Sequence, residues 1–282
     1  MEVLRISMRA HRDWRADDEE DEDRDGPLVI LDSSFLSENA SRLRSVWLEG
    51  CFLPWTSPFL RNLTDLKISL EQTASPASLL GSASDLIRSL QAMPALQSLN
   101  LLNCFPPDLR SHPTSAVISF PLLTDLEMSG TVSECKAMFK MLDTPSGTSL
   151  ILSCSTTNQT PAECCTVLPT VSAYLLRANN NGLALKTFAL AHDEASLEIV
   201  MMIRDVIPFD FEPKFKLCFS WPASPITPDL PTLEKVCDVF APYLNSLEAV
   251  RVRNPAWRPD HWTTYFSQSK MASRVHGSGF AG

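Results

Sequence analysis

The sequence predicts an α/β fold of leucine-rich-repeat type, a curved parallel sheet with helices on its convex side and irregular repeats. Two observations predict it. The segment Leu43-Arg-Ser-Val-Trp-Leu-Glu-Gly-Cys51 places apolar residues at Leu43, Val46 and Leu48 and a cysteine at the ninth position, the pattern L-x-x-L-x-L-x-x-N/C. Degenerate copies of that pattern recur along the 282 residues, with helix-like stretches between them.

In chain order, the strand pattern starts at Met1, Leu43, Leu63, Leu96, Leu123, Gly147, Leu185, Glu212 and Leu247. The spacings scatter more widely than the roughly 20–29 residues of a regular repeat. Gly147 and Glu212 replace the first leucine, and those two repeats keep only Leu150 with Leu152 and Phe215 with Leu217. The longer intervals predict helices. Leu79 to Met93 carries an apolar face ended by Pro94, with Ser82 and Asp85 as a capping pair. Ser133 to Leu142 aligns Cys135, Met138, Phe139 and Leu142. Thr160-Pro-Ala-Glu163 starts another helix, which Pro169 should kink or split. Helices are also expected over Glu194 to Ile207 and Asp229 to Leu244, with His192-Asp193-Glu194 capping the first.

The whole of 1–266 is expected to form one solenoid, interrupted at about 10–27 and followed by a flexible polar tail over 267–282. Residues 17–25 hold eight acids and one arginine, too dense a charge to collapse, so this loop is expected to be disordered. It carries most of the net charge of −9. The remainder is close to neutral, which argues against nucleic acid or an anionic membrane as partner. Met1, Leu4 and Ile6 already fit the repeat, so the chain is expected to begin inside an array, without a polar cap.

No apolar run reaches the length of a membrane span, and Met1–Ala10 holds Glu2, Arg5 and Arg9 in place of a secretory apolar core. Cytoplasm or nucleus, reduced thiols and a monomer are expected. The eight cysteines form no C-x-x-C pair and read as small buried hydrophobes, and the three N-x-S/T sequons read as chance. No cofactor or metal motif is found, and no catalytic one. The five histidines are scattered, and Gly-Ser-Gly at 277–279 lies in the tail, without the strand and helix that a nucleophile elbow requires. The cluster Arg251, Arg253, Trp257, Arg258, His261 and Trp262 reads as aromatic packing on the last repeat.

The residues between the two inner apolar positions point out of the sheet. They are Arg5, Trp47, Lys67, Asn100, Glu127, Ile151, Ala189, Lys216 and Arg251. In a parallel in-register sheet they form one row. Its polar and aromatic members (Arg5, Trp47, Lys67, Asn100, Glu127, Lys216 and Arg251) are the candidate contacts to a protein partner.

The block Ala40-Ser-Arg-Leu-Arg44, Leu48-Glu-Gly-Cys51, Leu53-Pro-Trp55, Ser57-Pro-Phe-Leu60 and Asn62-Leu-Thr-Asp-Leu66, following an acidic loop that ends Gly26-Pro27, resembles the leucine-rich region of the large fungal F-box protein family. The likeness in repeat style extends over about 1–255. It implies a non-enzymatic, substrate-recognising part of a ubiquitin-ligase component. The F-box itself is not found in these residues, and a ligase adaptor is implied as partner only where an F-box lies upstream. The second reading is a leucine-rich scaffold unrelated to ubiquitin, binding protein or RNA.

Overall fold

The structure, a computed structural model, describes residues 2–8, 28–32, 42–70, 79–113, 117–156, 161–181, 185–192, 196–202, 214–220, 235–236, 238–240, 242–243, 247, 249–253 and 275–277. The fold is mixed α/β, with a large and mostly parallel sheet. The chain falls into two compact units, Met1–Met128 with Met141–Pro145, and Ser129–Lys140 with Ser146–Gly282.

In the first unit the repeat pattern becomes strands β1 (Glu2–Ser7), β3 (Leu43–Glu49), β5 (Asp65–Ser69), β6 (Ser98–Leu102) and β8 (Asp125–Thr131), adjacent in sequence order. Strand β8 continues past Met128 into the second unit. β1, β3, β5 and β6 pair in parallel. Alternation decides what is buried. Val46, Leu66 and Leu99 stand in register, as do Leu48, Ile68 and Leu101, and all six are 0–1% exposed. Leu4 and Ile6 continue both columns onto β1, where burial falls to half because β1 is the outer strand. Two short parallel pairs accompany the sheet, β2 (Val29–Ile30) with β4 (Cys51–Phe52), and β7 (Ile118–Ser119) with β9 (Leu142–Asp143).

Helix α1 (Ala83–Gln91) forms where the sequence predicts a helix. The Ser82 hydroxyl accepts from the Asp85 N–H at 3.1 Å, and Asp108 accepts from the Ala83 N–H at 2.8 Å, so orphan donors of the first turn are satisfied. Ala83, Leu86, Ile87 and Leu90 face the core. Cys51 and Cys104, at the ninth position of their repeats, are fully buried.

The second unit departs from repeat order. It contains α2 (Val132–Met141), β10 (Ser149–Ser155), α3 (Pro161–Cys164), α4 (Leu168–Asn180), β11 (Thr187–His192), β12 (Ser196–Met202), β13 (Phe215–Ser220), β14 (Ala249–Arg253) and β15 (Val275–Gly277). Their order is β10-β13-β12-β11-β14-β15. β12 runs antiparallel to both of its neighbours, while the remaining pairs are parallel.

Two expectations are corrected here. The helix expected from Glu194 is strand β12 over its described part, because Leu197, Ile199 and Met201 alternate into the core. The junction after His192 therefore leads to a strand, and helix capping by His192-Asp193-Glu194 does not apply; 193–195 lie outside the described residues. Part of the tail expected to be loose supplies β15, parallel to β14.

Pro169 does split the helix begun at Pro161, since α3 ends at Cys164 and α4 starts at Leu168 with proline in its first turn. Helical residues between 235 and 243 match the last predicted helix. Phe240 from this segment packs on Phe188 and Phe215, with ring centroids 5.7 and 6.0 Å apart. The Tyr243 hydroxyl donates to Ser172 O at 3.3 Å. Tyr174 of α4 donates to Thr148 O at 2.5 Å and tilts against Phe139. The acidic loop at about 10–27 lies outside the described residues.

Candidate binding face

One register carries the predicted row through the first unit. Arg5 stands opposite Trp47, Trp47 opposite Lys67, and Lys67 opposite Asn100. Each is flanked in its own strand by buried leucine, isoleucine or valine, or, on the outer strand, by half-buried Leu4 and Ile6, so the pleat directs it to the opposite face. Neighbouring strands lie about 4.8 Å apart, which puts successive members within side-chain reach.

The contacts follow from that spacing. The Arg5 guanidinium lies over the Trp47 ring, 3.8 Å from its centroid. This cation–π contact fixes a flat, half-open indole that is 37% exposed. Asn100 donates through Nδ2 to Glu127 at 3.0 Å, tying the far end of the row. Lys67 lies between these two pairs, half-buried. The next row on the same face is Ser7, Glu49, Ser69 and Leu102, in which the Ser7 hydroxyl donates to Glu49 at 3.1 Å. On the other side run Val3, Ser45, Asp65 and Ser98. The face thus offers one held aromatic among charges of both signs.

In the second unit the register places Ile151 opposite Lys216, Lys216 opposite Val200, Val200 opposite Ala189, and Ala189 opposite Arg251. Lys216 forms an ion pair with Glu198 at 2.8 Å. Ile151, Val200 and Ala189 are half-buried, so this row is apolar at its middle. Arg251 is placed by its backbone alone, opposite His276 of β15. Val200 and Glu198 are the members that sequence reasoning misses, because their strand reads as a helix. The alternation of Leu197, Ile199 and Met201 is a strand signal in the same segment, matched there by an equally good helical pattern.

The other sequence candidates are dispersed. His112 lies near Ser84, with 3.4 Å between its Nε2 and the hydroxyl, and His192 closes β11. Residues 254–274, with Trp257, Arg258, His261 and Trp262, lie outside the described residues. Among the described residues, no three His, Cys, Asp or Glu side chains are placed to hold a metal ion, and no helix is long and apolar enough to cross a membrane.

The thiols of the second unit are packed together. Cys154 shares a hydrogen bond with Cys135, which with burial pushes the Cys154 thiol well above its ordinary range. Burial, with Cys165 and Glu163 nearby, pushes Cys164 up to about 12. Protonated thiols of this kind are poor nucleophiles. Comparison with family models, curated proteins and solved structures returns no match.

Proposed function

We propose that this chain is a non-enzymatic protein-binding domain built on leucine-rich repeats arranged as a solenoid, and that it serves as the substrate-recognising part of an F-box-like ubiquitin-ligase component in cytoplasm or nucleus. The observation that supports binding is the in-register row of the first unit. Trp47 is held flat by Arg5 and flanked by Lys67, and aromatic and arginine side chains dominate the energetics of protein interfaces. The ligase part of the reading rests on the resemblance of residues 40–66.

The chain, fused behind an F-box, is expressed in fungal cells as wild type and as Trp47→Ala, and its complexes are compared by quantitative mass spectrometry. At least one protein should be recovered with the wild type and depleted about tenfold or more with the variant. Because Trp47 is partly exposed, both forms should unfold at similar temperature. Identical recovered sets would refute the row as a binding face. A Trp47-dependent partner that neither becomes ubiquitinated nor accumulates when the proteasome is blocked would instead favour a scaffold unrelated to ubiquitin.

A further inference from the structure

A second feature of the first unit lies away from the row, between the turn that follows Trp55 and helix α1. Here Trp55, Ser57, Arg61, Asp85, Arg88 and Ser89 line a cavity of about 160 Å³. Its construction follows from two short elements. The 3-10 turn Pro58–Leu60, with Ser57 as its N-cap, buries Leu60 and leaves Arg61 at its exit. On α1, Asp85, Arg88 and Ser89 lie three and four residues apart and so share one side of the helix.

The polar groups in this cavity are unevenly used. The Asp85 carboxylate is engaged locally, since Oδ2 accepts from the Ser82 hydroxyl at 2.7 Å and Oδ1 pairs with Arg88 at 3.3 Å. The Ser57 oxygen accepts from the Phe59 N–H at 3.5 Å, which leaves its own proton to donate. Arg88 spends one of its five donors on Asp85, and its side chain remains 76% exposed. Arg61 is exposed and has no ion-pair partner among the described residues. The Trp55 indole N–H is buried with no acceptor among the described residues. Ser57, Arg61, Arg88 and Trp55 thus leave donors to spare, two of them permanently cationic, against the single carboxylate of Asp85, so the lining carries a net positive charge.

We infer that this cavity binds an oxyanion of phosphate type. Two guanidinium forks match the paired oxygens of such a group better than a point cation would. The size allows it, because a cavity of about 160 Å³ has room for several water-sized groups, and a phosphate group has five heavy atoms. Placing the anion there neutralises the excess cation and gives the Arg61 and Arg88 donors acceptors. The anion is either free phosphate or the phosphoryl group of a phosphorylated side chain, and the two share the same donor set.

The test uses the full chain labelled with ¹⁵N, at constant ionic strength set by chloride. The indole N–H signal of Trp55, assigned by its loss in Trp55→Phe, is followed on adding inorganic phosphate. In a second arm the titrant is a Gly-phosphoserine-Gly tripeptide, with the unphosphorylated tripeptide as its blank. A saturable shift is expected in at least one arm, with affinity falling tenfold or more in Arg61→Gln and in Arg88→Gln. Arg110→Gln, on a different surface turn, should bind as the wild type does. Tighter binding of the tripeptide than of phosphate assigns the anion to a phosphorylated chain, and equal or weaker binding assigns it to the free ion. Both substituted arginines are exposed, and unchanged remaining indole signals verify that the variants are folded. No saturable shift in either arm, or equal binding by wild type and both arginine variants, would overturn the assignment.

Discussion

A single backbone angle at Gly50 shows how tightly the turn after β3 is specified. Gly50 has φ of +68°, and a Cβ built there would overlap the carbonyl oxygen of Met8. Both the left-handed conformation and the close approach of β1 exclude a side chain. Gly50→Ala should therefore destabilise the chain by more than about 1 kcal/mol, and by up to about 3 kcal/mol where the turn cannot relax. Trp47→Ala, three residues away, removes an indole that is already partly in water. Its loss should cost no more than about 1 kcal/mol, the scale of an exposed cation–π contact. Urea unfolding of the two variants checks the order, and a larger loss for Trp47→Ala than for Gly50→Ala would mean that the indole is core. At this scale the sequence is a partial guide. Period-two alternation was enough to assign Trp47, Lys67 and Asn100 to one row. The positive φ of Gly50 was not visible, because it follows from where Met8 passes. The cavity at Arg61 and Arg88 was equally hidden, since packing joins its two walls and no spacing in the chain does.

Elements differ in what holds them. Helix α1 depends on two side-chain acceptors at its start, one local and one from the turn at Asp108. Ser82→Ala and Asp108→Ala should each cost about 0.5–2 kcal/mol, as measured in chemical unfolding, because each leaves an N–H of the first turn without its acceptor. Strands are held by their columns. Leu99→Ala, fully buried within the sheet of the first unit, should cost about 2–5 kcal/mol, whereas Leu4→Ala on the half-buried outer strand should cost clearly less. Equal costs would mean that the β1 column is covered as completely as the middle of the sheet. The same contrast explains which elements the sequence revealed. β3, β5 and β6 combine a leucine pattern with neighbours of the same pattern, so local and long-range preferences agree. In β12, Leu197, Val200 and Met201 fit a helix as well as Leu197, Ile199 and Met201 fit a strand. The tie is broken by hydrogen bonding to β11 and β13, which lies outside any local window. The insertion of an antiparallel strand next to β13 is likewise a pairing choice, and no repeat arithmetic contains it.

For the molecule as a whole, the two units differ in how they should respond to alkali. The second holds neutral acids whose ionisation is opposed by their surroundings. Burial raises Tyr174 from its ordinary 10.0 to about 12, Cys164 is raised from 9.0 to about 12, and Cys154 and Tyr243 are also raised. In the first unit, Cys51 is raised, by burial. A folded-state pKa above the unfolded one means that the unfolded chain releases its proton first. The stabilisation is then complete below about pH 9 for the thiols and pH 10 for the phenols, and it drains away as pH rises toward 12. Stability should fall steadily over that window, and the second unit, which holds most of these groups, should lose more of it. Absorbance at 295 nm reads the phenols directly. Of the three tyrosines, Tyr174 and Tyr243 should ionise late in the folded protein, and all three should ionise near pH 10 in strong urea. A folded titration that coincides with the one in urea would place both rings in water and remove the α4 packing from this account. The thiols supply a second reading, because Cys135, Cys154 and Cys164 are buried and should resist alkylation at pH 8 until the second unit opens. If labelling of Cys154 and the delayed phenol ionisation set in at the same urea concentration, the second unit unfolds as one cooperative body. Labelling that clearly precedes ionisation would mean that the thiol layer opens independently of α4.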